Sequence, residues 1–131
     1  MNTVLCVGVF DLLHIAHKRH LEEARGMADL LVVGVTIDAC VNKEGRPIIS
    51  QDERLEMIRS LHCVSMAILC QDSIEALDRV RPQIFCKGHD YKKKGLLPEE
   101  IKFCSEHGIE IRFTHHNPQT TSQIIERIRN D

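Results

Sequence analysis

No apolar run in this chain approaches the roughly 20 residues that a helix needs to cross a bilayer, and none of the sequence reads as a membrane span. The start, Met1 to Cys6, lacks the basic-then-apolar pattern of a secretory signal. The six cysteines, at positions 6, 40, 63, 70, 86 and 104, contain no C-x-x-C pair. That excludes the usual metal knuckle and the usual redox pair. Several of them lie inside apolar runs, where a free thiol behaves as a small hydrophobe. Buried, reduced thiols and a cytoplasmic location are therefore expected. There is no strong charge of one sign either: the formal net charge is −2. A broad nucleic-acid surface or a membrane patch is thus not expected. Low-complexity runs, linkers and internal repeats are missing, so 131 residues are read as one domain over 1–131.

What is present is a regular alternation. Residues 3–9, 30–36, 64–69, 83–87 and 109–113 are short apolar runs that predict buried strands. Between them lie stretches with helical periodicity. Residues 15–27 place Leu21, Ala24 and Ala28 on one face. Ser50 and Glu53 have the spacing of a capping box before a helix that runs to about Leu61. Residues 73–80 form a short helix that Pro82 helps to end. Pro98 opens another helix, and Gly108 closes it. Thr121 or Ser122 begins a last helix that ends near Arg129. Strands alternating with helices predict an α/β, Rossmann-like doubly wound sheet of about five parallel strands with helices on both faces.

In such a sheet, ligands bind beyond the carboxyl ends of the strands. That rule selects four loops: residues 8–17, 38–50, 88–95 and 114–121. The first reads Gly8-Val9-Phe10-Asp11-Leu12-Leu13-His14-Ile15-Ala16-His17. Gly8 permits a turn and a close approach of backbone to ligand. The helix start that follows offers unpaired N–H groups and the positive end of a dipole, which favour phosphate. His14 and His17, three apart, face one side of its first turn. Two hydrogen-bond donors there suit phosphoryl transfer, a chemistry of positioning and electrostatic stabilisation. Two plainer readings stand beside this one: a histidine-based metal site, for which no sequence-near carboxylate or cysteine completes the ligand set, and surface histidines at a helix start.

These residues resemble the G-x-F-D-x-x-H-x-G-H signature of the cytidylyltransferase-like nucleotidyltransferase superfamily. Gly8, Phe10, Asp11, His14 and His17 match it. Further segments are similar in the same order: Gly45-Arg46-Pro47 with Glu53-Arg54, then Lys87-Gly88-His89-Asp90-Tyr91, then Thr120-Thr121-Ser122-Gln123-Ile124-Ile125. The resemblance spans nearly the whole chain. It is strongest to the sugar-phosphate and polyol-phosphate branch, which holds the glycerol-3-phosphate cytidylyltransferases and the heptose-phosphate adenylyltransferases.

The resemblance implies an enzyme that moves a nucleoside monophosphate from a nucleoside triphosphate onto a small phosphorylated acceptor, with Mg²⁺ carried by the triphosphate. It implies that His14 and His17 stabilise the transferring phosphate and that Lys43 reaches the triphosphate or the acceptor. Gly8, Val9, Phe10, Asp11, Lys87, Gly88, Asp90, Thr120, Thr121 and Ser122 would bind nucleotide. Asp11, Arg54 and Tyr91 would bind the acceptor. For Asp11 a helix-capping role competes, and for Arg54 a pairing with a nearby acid. A homodimer is implied as well. K-G-x-D-Y at residues 87–91 favours ATP over CTP.

Two positions depart from the pattern. Ala16 stands where the family has Gly, which matters if that residue needs positive φ. His115 and His116 stand where relatives often carry Arg, so triphosphate affinity is expected to be weaker or to depend on pH. Two other functions remain open on sequence grounds: a CTP-dependent enzyme, and a nucleotide-binding module without turnover.

Overall fold

The computed structural model describes residues 1–115 and 120–130. Its centre is one five-stranded sheet with all neighbours parallel: β1 (Thr3–Gly8), β2 (Leu30–Thr36), β3 (Met66–Cys70), β4 (Ile84–Lys87) and β5 (Glu110–Phe113). The spatial order is β3-β2-β1-β4-β5. The chain builds outward from β1 to β3 and then restarts on the other side of β1. The switch point therefore lies between β1 and β4, where α/β sheets open a crevice for ligand.

The helices are α1 (Ile15–Arg25), α2 (Gln51–Arg59), α3 (Ser73–Val80), the short α4 (Tyr91–Lys94), α5 (Pro98–His107) and α6 (Thr121–Asn130), with a 3-10 turn at Asp38–Cys40. Because strand side chains alternate between faces, the sheet carries two cores. Val4, Cys6, Val33, Val35, Ile84 and Cys86 meet Leu21 and Ala24 of α1 and Leu55 and Ile58 of α2. Leu5, Val32 and Phe85 meet Ala76 and Leu77 of α3 and Cys104 of α5. Helices thus cover both faces, as the alternation predicts.

The local signals hold with small shifts. Ser50 Oγ accepts from Glu53 N at 3.4 Å and caps α2. Gly108 ends α5 with φ of 65°. β3 begins at Met66 rather than at residue 64, because Val64 belongs to the turn that follows α2 and Val64 N donates to Leu61 O. α1 stops at Arg25, two residues early, with Gly26 as its C-cap. The sequence carries no clear signal for α4, whose four residues have no alternation to read.

Candidate active site

The loop after β1 is held in an unusual backbone. Phe10 and Leu12 have φ of 54° and 52°, in the left-handed region that non-glycine residues rarely adopt. Phe10 is buried, and its ring stands edge-on to His17 with centroids 5.5 Å apart. A Cβ added to Gly8 would meet that ring at 3.1 Å. The Phe10 ring thus leaves no room for a side chain at residue 8, which is a further reason for glycine there.

Asp11 is also not what its position suggested. It does not cap α1. Its buried carboxylate accepts from Ile48 N at 2.9 Å, Ile49 N at 3.0 Å and Arg46 Nε at 2.7 Å. Burial pushes this carboxyl up, but the two amides and the guanidinium together outweigh it and hold it below its usual value. Arg54 resolves the same way. It is buried and donates to Ile49 O, Val9 O and Asp38 Oδ1 at 2.9, 2.7 and 2.6 Å. Asp11 and Arg54 therefore lock the loops after β1 and β2 together. Their charged atoms are engaged by protein partners and not presented to an acceptor.

The cap of α1 is His14, and it works reciprocally with His17. His14 Nδ1 accepts from Ala16 N, and His17 Nδ1 accepts from His14 N, each at 3.3 Å. A ring nitrogen that accepts carries no proton, so in each neutral imidazole the proton sits on Nε2. Both Nε2–H groups point to one atom: Thr121 Oγ1, 3.2 Å from His14 and 3.4 Å from His17. The Thr121 hydroxyl donates in turn to Asp11 O at 3.0 Å. Burial lowers both histidines, and His17 falls to about 4, helped by the neighbouring His14 and His20. Near neutral pH the pair consists of two neutral donors that converge on one oxygen.

These groups line a cavity of about 220 Å³ with Ala16, His20, Gly88, His89, Asp90, Tyr91, Thr114 and Thr120. It lies at the switch point, walled by the loops after β1, β4 and β5 and by the start of α6. Ala16 sits in the first turn of α1 without positive φ, so its methyl group adds no backbone strain. Thr121 begins α6 as expected, and Thr120 caps it: Thr120 Oγ1 accepts from Gln123 N, and Gln123 Oε1 accepts from Thr120 N.

The remaining expected residues are dispersed. Lys87 lies outside the histidine cavity. Its ammonium pairs with the buried Glu100 at 3.3 Å and sits 4.2 Å from the Tyr91 ring centroid. Lys87, Tyr91, Lys43, Thr36 and Val9 help to line a second cavity of about 490 Å³. Tyr91 borders both cavities. Ser122 lines a third, of about 470 Å³, with Lys43, Arg46 and Arg129, and that cavity shares no residue with the histidine pair. His115 turns to α1, where its amide donates to Glu23 at 2.8 Å; His116 lies outside the described residues. Glu100, Arg46 and Thr114 were missed by sequence reasoning, since only distant partners give them their roles. His20 had a local signal: it continues the three-residue spacing of His14 and His17.

Comparison with known proteins identifies the family. The sequence pattern of the family described as cytidylyltransferase-like matches residues 5–127. The chain is 35% identical over 133 residues to the "Bifunctional protein HldE" of Citrifermentans bemidjiense, covering 97% of this chain and 27% of that protein. It is 32% identical over 132 residues to the protein of the same name from Geobacter sulfurreducens, with the same 97% and 27% coverage. The chain thus spans little more than a quarter of these relatives. Among solved structures, the lipopolysaccharide core biosynthesis protein from Thermoplasma volcanium superposes with a TM-score of 0.76 at 31% identity, covering 90% of this chain and 99% of that one. With its strand order, its capped histidine pair at the switch point and this match over almost its whole length, the chain belongs to the cytidylyltransferase-like family of nucleotidyltransferases.

Proposed function

We propose that the protein transfers AMP from ATP to a small sugar or polyol phosphate and releases pyrophosphate. The observation that carries this reading is the convergence of two Nε2–H donors on a single oxygen at the start of α6. A phosphate oxygen is a stronger acceptor than a threonine hydroxyl, so a triphosphate is the natural competitor for that position. The imidazoles stay neutral and aimed before substrate arrives, which is the preorganisation that stabilises charge on a transferring phosphoryl group. An oxygen of the acceptor phosphate attacks the α-phosphorus in line. The bond to the β-phosphate oxygen breaks, and pyrophosphate leaves with its Mg²⁺, which entered as part of the substrate.

In this reading the nucleotide occupies the histidine cavity, against Gly88, Asp90 and Thr120. The acceptor occupies the larger neighbour, where Lys43 and Lys87 supply positive charge for its phosphate. Tyr91, bordering both, packs on sugar with its ring. Asp11 and Arg54 contribute by fixing the loops. The preference for ATP rests on the resemblance of residues 87–91. We also infer a homodimer and a cytoplasmic location; light scattering that shows only monomer at micromolar concentration refutes the first.

The test is turnover with each of the four nucleoside triphosphates against a panel of heptose phosphates and polyol phosphates, read as pyrophosphate release. ATP with a sugar phosphate is the expected pair. A clear preference for CTP overturns the nucleotide choice, and no turnover with any pair overturns the enzymatic reading in favour of a nucleotide-binding module.

A further inference from the structure

Beneath the crevice, on the α1 side of the sheet, three groups gather that the proposed reaction does not use. The register that pairs Val4 with Ile84 and Leu5 with Phe85 continues to set Cys6 beside Cys86 across β1 and β4. Both thiols are buried in the same core. α1 crosses above them and brings down His20. One ligand atom each from Cys6, His20 and Cys86 lie within 4.8 Å of one another, and among the described residues no other trio of His, Cys, Asp or Glu does so.

We propose that Cys6, Cys86 and His20 form a binding site for a zinc-class divalent ion, pinning β1, β4 and α1 together under the switch point. Two thiolates and an imidazole are the soft donor set that selects Zn²⁺ over Mg²⁺ or Ca²⁺. A tetrahedral zinc, with sulfur at about 2.3 Å and nitrogen at about 2.0 Å, spaces its ligand atoms roughly 3.5–3.8 Å apart. The trio reaches that spacing by closing about 1.3 Å at most, a shift within side-chain rotation. Binding releases one proton from each thiol. The complex of one divalent ion, two thiolates and a neutral imidazole has no net charge, which suits a core that disfavours isolated ions.

The support around His20 fits the same role. Its Nδ1 lies 3.0 Å from the hydroxyl of Thr114, which is itself buried. A metal-bound histidine characteristically has its other ring nitrogen tied in this way, which fixes the tautomer and the ring plane. His20 and Thr114 also line the histidine cavity.

The experiment uses the full chain, fully reduced and free of any polyhistidine tag, titrated with Co²⁺ as a spectroscopic stand-in for zinc. One equivalent should produce a thiolate-to-cobalt charge-transfer band in the near ultraviolet and the visible bands of a tetrahedral ion, and Zn²⁺ should displace both. Cys86→Ser should abolish the charge transfer at one equivalent, and Cys63→Ser should leave it intact. Thr114→Val should weaken the affinity by about 10–100-fold, the usual effect of losing an outer partner. His20→Gln, which spares the core thiols, should weaken it more. Absence of the band in the reduced wild-type protein, or its full retention in both Cys86→Ser and His20→Gln, overturns the proposal. Neither readout depends on turnover, so the nucleotidyltransferase reading stands or falls separately.

Discussion

Asp11 accepts a 2.7 Å hydrogen bond from Arg46 across 35 residues of chain, and this ion pair joins the loop after β1 to the loop after β2. The same carboxylate holds the amides of Ile48 and Ile49. Three donors from one distant segment converge on one buried acid, so the histidine loop keeps its strained backbone only while that segment is in place.

Removing the acid should therefore be costly. Asp11→Ala leaves a guanidinium and two amides without their acceptor, and such a loss typically destabilises by about 3–5 kcal/mol. Urea unfolding should show the midpoint falling with little change in slope. A midpoint matching the wild type would mean that the loops are held by something other than this carboxylate.

His14→Ala and His17→Ala should each lower turnover by about a hundredfold or more, the usual effect of losing one preorganised donor. Each variant also loses one hydrogen bond of the α1 cap, worth about 1 kcal/mol, so the fold should survive. Pyrophosphate release under saturating ATP is the measurement, with circular dichroism as the check on folding. Near-normal turnover in both variants would remove the pair from the mechanism.

Acid should unfold this protein in a defined window. His17 has its pKa pushed down to about 4 from an ordinary 6.5, and His14 is lowered too. Between those values the unfolded chain binds more protons than the folded one, so stability rises with pH. The contribution is complete above pH 6.5 and is lost as pH falls toward 4. For His17 alone it amounts to about 3 kcal/mol. Asp11, lowered from 3.8, extends the loss to still lower pH. Thermal midpoints measured from pH 7.5 down to 4 should decline throughout the lower part of that range, and His17→Ala should flatten the slope. A wild-type profile that is flat from pH 6.5 to 4.5 would contradict the buried, neutral pair.

Lys87 and Glu100 make separable predictions. Glu100 accepts from Leu97 N at 3.1 Å as well as from Lys87. Glu100→Ala should thus cost stability twice over, through an unpaired half-buried ammonium and a lost α5 start, for a sum of about 2–4 kcal/mol. Lys87→Ala leaves the buried Glu100 carboxylate without its ammonium and should cost stability too, but it should also act on substrate: the acceptor KM should rise about tenfold or more while kcat changes little, the pattern of lost uniform binding. If Lys87→Ala lowers kcat and leaves KM alone, Lys87 belongs to the transferring phosphate and not to the acceptor.

The sheet and its helices were legible because their signals are local. Ser50 is followed by Glu53 within one helical turn, Gly108 stands where α5 must stop, and each strand is a run short enough to read whole. His14 and His17 were legible for the same reason. The parts that sequence obscured depend on contact at a distance. Asp11 has the composition of a helix cap, and only the approach of residues 46–49 turns it into a clamp. Gly8 reads as room for a turn, and only the left-handed turn at Phe10, which swings an aromatic ring against residue 8, shows why no side chain fits there. Arg54 could serve phosphate or an acid until Asp38 was placed 2.6 Å away. Cys6 and Cys86 are 80 residues apart and show no spacing motif; parallel pairing of β1 with β4 makes them neighbours.

The hydrogen bond from His14 to Thr121 spans 107 residues, nearly the whole chain. β1, α1 and β2 are contiguous, and the pairing of β1 with β2 needs nothing downstream of Thr36. Such a unit can form early on any folding route, because its closure entropy is low. The oxygen on which both imidazoles converge belongs to the last helix. The two donors and the oxygen that matches them therefore stand 104 and 107 residues apart in the chain. A protein stalled with its sheet formed but α6 undocked would look nearly native by secondary structure and be blind to nucleotide. Recovery of nucleotide binding should accordingly lag recovery of the far-ultraviolet signal during refolding, and the length of that lag times the docking of the final helix.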